Sequence, residues 1–213
     1  MTLISEVLIS EKTLHTGVEY LVEVDDDLRI VTEKLGNPPM WTRPTGFVSL
    51  IQIILEQQVS LASAKAVNKR LMESVDVLMP ETMLSFSDDK LRTIGFSRQK
   101  TAYCRNLALT VINGNLNLDE LVYMSDSEVR AELLKQKGIG NWTADIYLLM
   151  AMRRPDVLPQ SDIALIVAMQ ELKKLSEKPS QTEFQEIGKA WKPWRSVGAR
   201  VLWHYYLNRK QFK

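Results

Sequence analysis

Lys137-Gly138-Ile139-Gly140-Asn141-Trp142-Thr143-Ala144-Asp145 is the stretch on which the reading of this chain turns. Leu133 and Leu134 lead into it, and Ile146, Leu148, Leu149 and Met150 lead out, all at spacings that suit buried helix. Two glycines this close end one helix, allow φ > 0 and open the next. The first N–H groups of that second helix have no intrahelical acceptor and sit at its positive end, a ready seat for a phosphate. A Gly-x-Gly between helices also serves as an ordinary tight turn, so the rest of the chain has to decide. Asp162 follows some twenty residues later.

The 213 residues suffice for one compact unit or two small lobes with a sizeable core, and the 45% hydrophobic content is that of a globular protein. Met1-Thr2-Leu3-Ile4-Ser5-Glu6 has no basic region and too short an apolar run for a signal peptide, and no stretch approaches a membrane span. The single cysteine, Cys104, excludes an intrachain disulfide and a four-cysteine iron–sulfur site, and reads as a small buried residue. These features suit a protein of the cytoplasm, or at least of a reducing compartment. A net charge of +1 argues against binding nucleic acid through bulk charge. The charges are segregated, however. Residues 1–30 are acidic, while from Ile187 onward no acid occurs beside Lys189, Lys192, Arg195, Arg200, Arg209, Lys210 and Lys213. That distribution suits a one-sided phosphate-binding face.

Nearly every segment reads as helix, about ten in all. Leu21, Leu28, Val31 and Leu35 form a first stretch before the break at Gly36-Asn37-Pro38-Pro39. Phe47, Leu50, Ile51, Ile54 and Leu55 form a second, and Ala64, Val67 and Leu71 a third. Ser87 and Ser97 start further helices, Ser125-x-x-Glu128 and Ser180-x-x-Glu183 are capping boxes, and Pro193 is placed in the first turn of the last helix. Trp142–Met152 is apolar on nearly all sides and is predicted to be a buried central helix. No sustained strand alternation and no internal repeat occur.

Five blocks in order then narrow the choice. They are Leu50-Ile51-x-x-Ile54-Leu55-Glu56-Gln57-Gln58-Val59-Ser60, Ile94-Gly95-Phe96-Ser97-Arg98-Gln99-Lys100, the glycine turn, Leu158-Pro159-Gln160-Ser161-Asp162 and Trp191-Lys192-Pro193-Trp194-Arg195. Together they resemble the helix-hairpin-helix DNA glycosylase superfamily, in its 3-methyladenine DNA glycosylase II (alkylpurine) type. The resemblance implies an all-α fold of two helical lobes with an active-site cleft between them. It puts a central lobe at 46–150, with the hairpin at about 126–152, and a second lobe at 1–45 plus 151–213. Too few residues precede the first helix for the β-rich domain that opens larger members, so a compact form is expected. Lys137 departs from the pattern, which usually has proline there.

By the same resemblance Asp162 is the catalytic aspartate, although an aspartate before Ile163-Ala164-Leu165 is also a plain N-cap. Gly138, Ile139, Gly140, Lys137 and Ser60 are expected to contact DNA, with Gln58 as the wedge that fills the gap left by a flipped base. Trp203, Trp142, Tyr147 and Ile146 are the base-pocket candidates. At about 100° per residue Trp203 points opposite Trp194 on the last helix, so a single core stripe cannot account for both. Carbonyls of Leu134, Gln136 and Ile139 would hold a monovalent cation, Na+ or K+; no other cofactor is required. Members that also cut the strand carry a lysine where this chain has Trp142, so base removal without lyase chemistry is implied. Asp145 reads as a structural hydrogen-bonding group and His204 as a surface or pocket-rim residue. The expected partner is double-stranded DNA with alkylated bases, bound by a monomer. A glycosylase for deaminated or etheno purines, and a non-catalytic damaged-DNA-binding protein on the same scaffold, are the alternatives.

Overall fold

The computed structural model describes residues 8–212, so the absent leader read from Met1–Glu6 and the basic Lys213 lie outside the described residues. Twelve α-helices follow one another: α1 (Glu11–Val24), α2 (Asp26–Leu35), α3 (Phe47–Glu56), α4 (Leu61–Glu73), α5 (Pro80–Ser85), α6 (Asp88–Ile94), α7 (Arg98–Ile112), α8 (Asp126–Leu134), α9 (Asn141–Ile146), α10 (Ile163–Leu172), α11 (Gln181–Gly188) and α12 (Arg195–Phe212). No strand occurs among the described residues, and none of their helices is long and apolar enough to cross a membrane. The chain forms two units, one from residues 1–42 with 148–213 and the other from 43–147.

In the 43–147 unit, α3 is the central element. Leu50, Ile51, Ile53, Ile54 and Leu55 are each at most 2% exposed, and α3 packs on α4, α7 and α9. Local chemistry sets the ends of its neighbours. Ser60, Ser87, Ser97 and Ser125 each accept a backbone N–H of the third helical residue, and Ser125 with Glu128 closes the capping box seen in the sequence. Gly95 takes φ 113 to end α6. The short α5, opened by Pro80 at its first turn, has no signal in the apolar spacing. Cys104 is fully buried, and burial pushes its thiol up to about 12. It is therefore a protonated packing group at neutral pH.

In the other unit, α12 packs on α1, α2 and α10. Trp191 lies so close to Gly198 that an added Cβ would meet its ring at 2.6 Å. Three sequence expectations are corrected here. The first helical stretch is two helices, because Asp25 turns extended (φ −147) and its carboxylate caps α2 by accepting from Asp27 and Leu28 N–H. Pro193 precedes α12 instead of opening its first turn, following a cis peptide after Lys192. The segment 142–152 is not one regular helix, since α9 passes into a π-helical turn at Tyr147–Ala151. The Leu149 carbonyl in that turn accepts from Arg200 at 3.1 Å.

Asp25 also ties distant segments together. Its carboxylate accepts from Lys173 Nζ at 2.6 Å and from the buried Trp191 indole N–H at 2.8 Å. Burial alone would lower the Lys173 pKa, but its bonds to Asp25 and Asp27 hold it above the usual value. A raised cationic pKa contributes stability that is fully present at neutral pH and is lost only as pH climbs past the lysine range. Asp25→Ala removes the cap, the ion pair and the indole's acceptor together. It is expected to cost about 3 kcal/mol in urea unfolding at pH 7; a loss below about 1 kcal/mol would mean these contacts are dispensable.

Candidate functional site

The hairpin lies in the 43–147 unit. After α8, the Gln136 carbonyl accepts the Ile139 N–H at 3.0 Å, which closes the turn, and Gly140 O accepts Ala144 N–H to start α9. Gln136 and Ile139 are buried and anchor the loop, while Lys137, Gly140 and Asn141 are exposed. The two glycines are not equivalent, contrary to the shared role given to them above. Gly138 has φ 93, and a Cβ there would meet the Tyr103 ring at 2.2 Å. Gly140 has φ −103 with nothing near its missing Cβ. Only Gly138 requires glycine.

Beside this turn the α3–α4 loop is fixed residue by residue. Lys100 Nζ donates to Leu55 O at 2.7 Å, and Arg43 pairs with Glu56 through both carboxylate oxygens at 2.7 and 2.8 Å. Burial holds the Lys100 ammonium below its usual pKa. The Gln57 amide donates to Gly138 O at 2.8 Å and to Thr143 Oγ1 at 2.9 Å. Gln58 then stands exposed at φ 55, a left-handed conformation that non-glycine residues rarely take. Val59 and Leu61 are 45% and 69% exposed. Ser60 caps α4 by accepting Ser63 N–H, so its hydroxyl has a structural duty beside any contact with DNA.

Asp162 lies in the other unit, at the N-cap of α10 and 9% exposed. Its Oδ1 accepts two donors, the Leu165 N–H at 3.1 Å and the Trp203 indole N–H at 3.2 Å. Cap and proposed reactive group are therefore one side chain. Trp41 meets Trp203 edge-on, with ring centroids 6.5 Å apart. Arg200, fully buried, donates to the carbonyls of Ser196, Trp41 and Leu149, which fixes the segment carrying Trp41. Burial lowers the Arg200 pKa to about 10, still leaving it cationic at neutral pH. His204 is partly buried, with Nε2 at 3.1 Å from Leu35 O.

Other sequence expectations meet the structure differently. Ile146 and Tyr147, read as pocket walls, are core residues at 2% and 0% exposure, and the Tyr147 hydroxyl accepts the Gly46 N–H at 2.8 Å. Trp142, in the first turn of α9, is half-buried. Asp145 is buried and pairs with Arg130 of α8, the structural part that was read for it. Part of the basic C-terminal run has partners inside the protein or on its surface. Arg195 is held by Asp156, Lys189 by Glu186, and Arg200 is buried. Gln57, Trp41 and Arg200 were missed. Their partners, as far as 81 and 159 positions away, leave no local trace in the sequence.

Known proteins are similar to this chain in sequence and fold. Residues 51–194 match the model for the HhH-GPD superfamily of base excision DNA repair proteins. A putative DNA-3-methyladenine glycosylase of Bacillus subtilis is 28% identical over 83% of this chain, which spans 64% of that protein's length. A DNA-3-methyladenine glycosidase structure from Bacillus halodurans is 30% identical, covers 92% of this chain and 91% of its own, and superposes with a TM-score of 0.76. A Schizosaccharomyces pombe 3-methyladenine DNA glycosylase in complex with abasic DNA superposes at 0.83 with 24% identity, over 88% of this chain and 95% of its own.

The asymmetry of the two glycines gives a test. Gly138→Ala should destabilise by about 2–3 kcal/mol through strain and the displaced Tyr103 ring, and should weaken binding to damaged and undamaged duplex alike. Gly140→Ala should stay within about 0.5 kcal/mol of the parent. Equal effects of the two in thermal unfolding, or a binding loss confined to damaged DNA, would contradict this assignment.

Proposed function

The chain belongs to the HhH-GPD superfamily of base excision DNA repair proteins, and on that footing we propose that it is a monofunctional DNA glycosylase removing alkylated purines from duplex DNA. The observation that carries this reading is Asp162, a largely buried carboxylate whose Oδ1 is fixed by a helix N–H and an indole N–H. Alkylation at N3 or N7 makes a purine cationic and already a good leaving group. As the bond from C1′ to the base nitrogen breaks, its electron pair goes to the base and cancels that charge. Positive charge builds on the sugar, and water adds its oxygen to C1′ and releases a proton. A carboxylate about 4 Å from that charge, at an effective dielectric of about 20, stabilises it by roughly 4 kcal/mol. That is on the order of a thousandfold in rate. This chemistry needs no metal redox step or nucleotide cofactor.

The exposed turn at Lys137–Asn141 would take the DNA backbone on main-chain N–H groups, as helix N-termini take phosphates. Gln58 would fill the space of the flipped nucleotide. Trp203 would serve twice, as donor to Asp162 and as an electron-rich face for a cationic base. A monovalent cation on the carbonyls of Leu134, Gln136 and Ile139 belongs to the same reading. The Gln136 carbonyl already accepts one N–H and keeps one lone pair for it. Trp142 offers no amine to attack the sugar, which favours release of the base without strand cleavage. The protein would act as a monomer on DNA in the nucleoid or nucleus.

Asp162→Asn keeps the shape and an acceptor oxygen for the cap and the indole, and removes the charge. Single-turnover release of 3-methyladenine or 7-methylguanine is expected to fall about a thousandfold, with DNA affinity little changed. Retention of more than about a tenth of the parent rate would refute the role. Borohydride treatment on a lesion duplex should trap no covalent adduct; a lysine-dependent adduct would refute the monofunctional reading. Release of hypoxanthine or ethenoadenine without release of methylated purines would move the assignment to the neutral lesions.

A further inference from the structure

Within the 43–147 unit two exposed tips are joined through one donor group. The Gln57 side chain spends both amide hydrogens on the hairpin region, one on Gly138 O and one on the Thr143 hydroxyl oxygen. Its backbone has already left α3 (φ −60, ψ 128), so the side chain fixes the direction in which the chain continues. Upstream freedom is removed by Lys100 on Leu55 O and by Arg43 on Glu56. Downstream, Ser60 starts α4. Between these fixed points only Gln58 and Val59 remain, both exposed, with Gln58 held at φ 55. A left-handed glutamine is strained and persists only where its surroundings impose it. The residue before it is what the hairpin grips.

We propose that Gln57 is a positioning residue for lesion recognition, transmitting the hairpin's seat on the DNA backbone to the height and direction of Gln58. It touches neither base nor sugar. Its effect comes through Gln58, so it governs discrimination between damaged and intact duplex and not general affinity. The proposal rests on the DNA glycosylase reading above for its substrate, but its own readout requires no base release.

The experiment compares binding to a duplex bearing a tetrahydrofuran abasic analogue with binding to the same duplex undamaged. Gln57→Leu is expected to cut the ratio of the two affinities about tenfold, the effect of two neutral hydrogen bonds, entirely through weaker abasic binding. Thr143→Val, which keeps the shape and removes one acceptor, should lower the ratio about threefold and retain the fold. Gln57→Leu with Gln58→Ala should lose no more discrimination than Gln58→Ala alone, because the tether acts only through that residue. Multiplying losses, an equal fall on undamaged duplex, or an unchanged ratio in both tether variants would overturn the proposal. So would a parent protein that does not distinguish the two duplexes. Base release by the parent is scored separately. Absence of release with the tether effects present rejects the glycosylase reading and keeps the tether, and release without tether effects does the reverse.

Discussion

A turn can be pressed against a neighbouring helix only where it carries no side chain, and at Gly138 this chain meets that condition to the limit. The Tyr103 ring occupies the space of the missing Cβ, and α7 is thereby seated on the hairpin. From that seat follow the contacts one turn earlier on α7, where Lys100 reaches the last carbonyls of α3. The amide of Gln57 then closes the circle onto Gly138 itself. Three elements converge on one peptide group. Packing densities of this kind do not deform continuously, so the exposed residues of the two loops are presented as a fixed pair.

In the other unit the equivalent constraint is a buried charge. Arg200 is shielded from water, and its two terminal nitrogens donate to three carbonyls, one from its own helix, one from the π-helical turn and one from Trp41, while its buried Nε has no hydrogen-bond partner among the described residues. The π-helical turn and the irregular 36–46 segment both present carbonyls that regular helices would have used internally. The guanidinium gathers them, which brings Trp41 against Trp203 and Trp203 against Asp162. Removing the arginine would take a donor from both the Leu149 and the Trp41 carbonyls, a larger penalty than the loss of any one bond.

Much of this fold is legible in sequence because much of it is written locally. The serine caps, the capping boxes at Ser125 and Ser180, and the stop at Gly95 each need only three or four neighbouring residues. Asp162 was legible as a cap for the same reason, and its second donor was not, since Trp203 lies 41 positions on. The split at Asp25 was hidden because Asp25-Asp26-Asp27 reads as solvated charge, whereas Asp25 is buried under Lys173 and Trp191. Apolar spacing placed Ile146 and Tyr147 on a buried helix correctly. The resemblance then assigned them to a pocket, and full burial with the Gly46–Tyr147 bond leaves them in the core.

The charge balance bears on how DNA would be held. A net charge of +1, with Arg200 buried and Arg195 paired with Asp156, leaves little for a broad electrostatic grip. Affinity for phosphates would then draw on aligned backbone N–H groups, and with few cations to release counterions its dependence on salt would be shallow. Such contacts position the protein and carry no information about the base. Weak, sequence-blind attachment would leave intact duplex easily released, and under the proposed function selection would fall to the step that unstacks a nucleotide, where a damaged base costs less to extrude than an intact one. The rigidity around Gly138 and the exposed left-handed Gln58 are what that division of labour asks of the 43–147 unit. A carboxylate held by two donors is what it asks of the other.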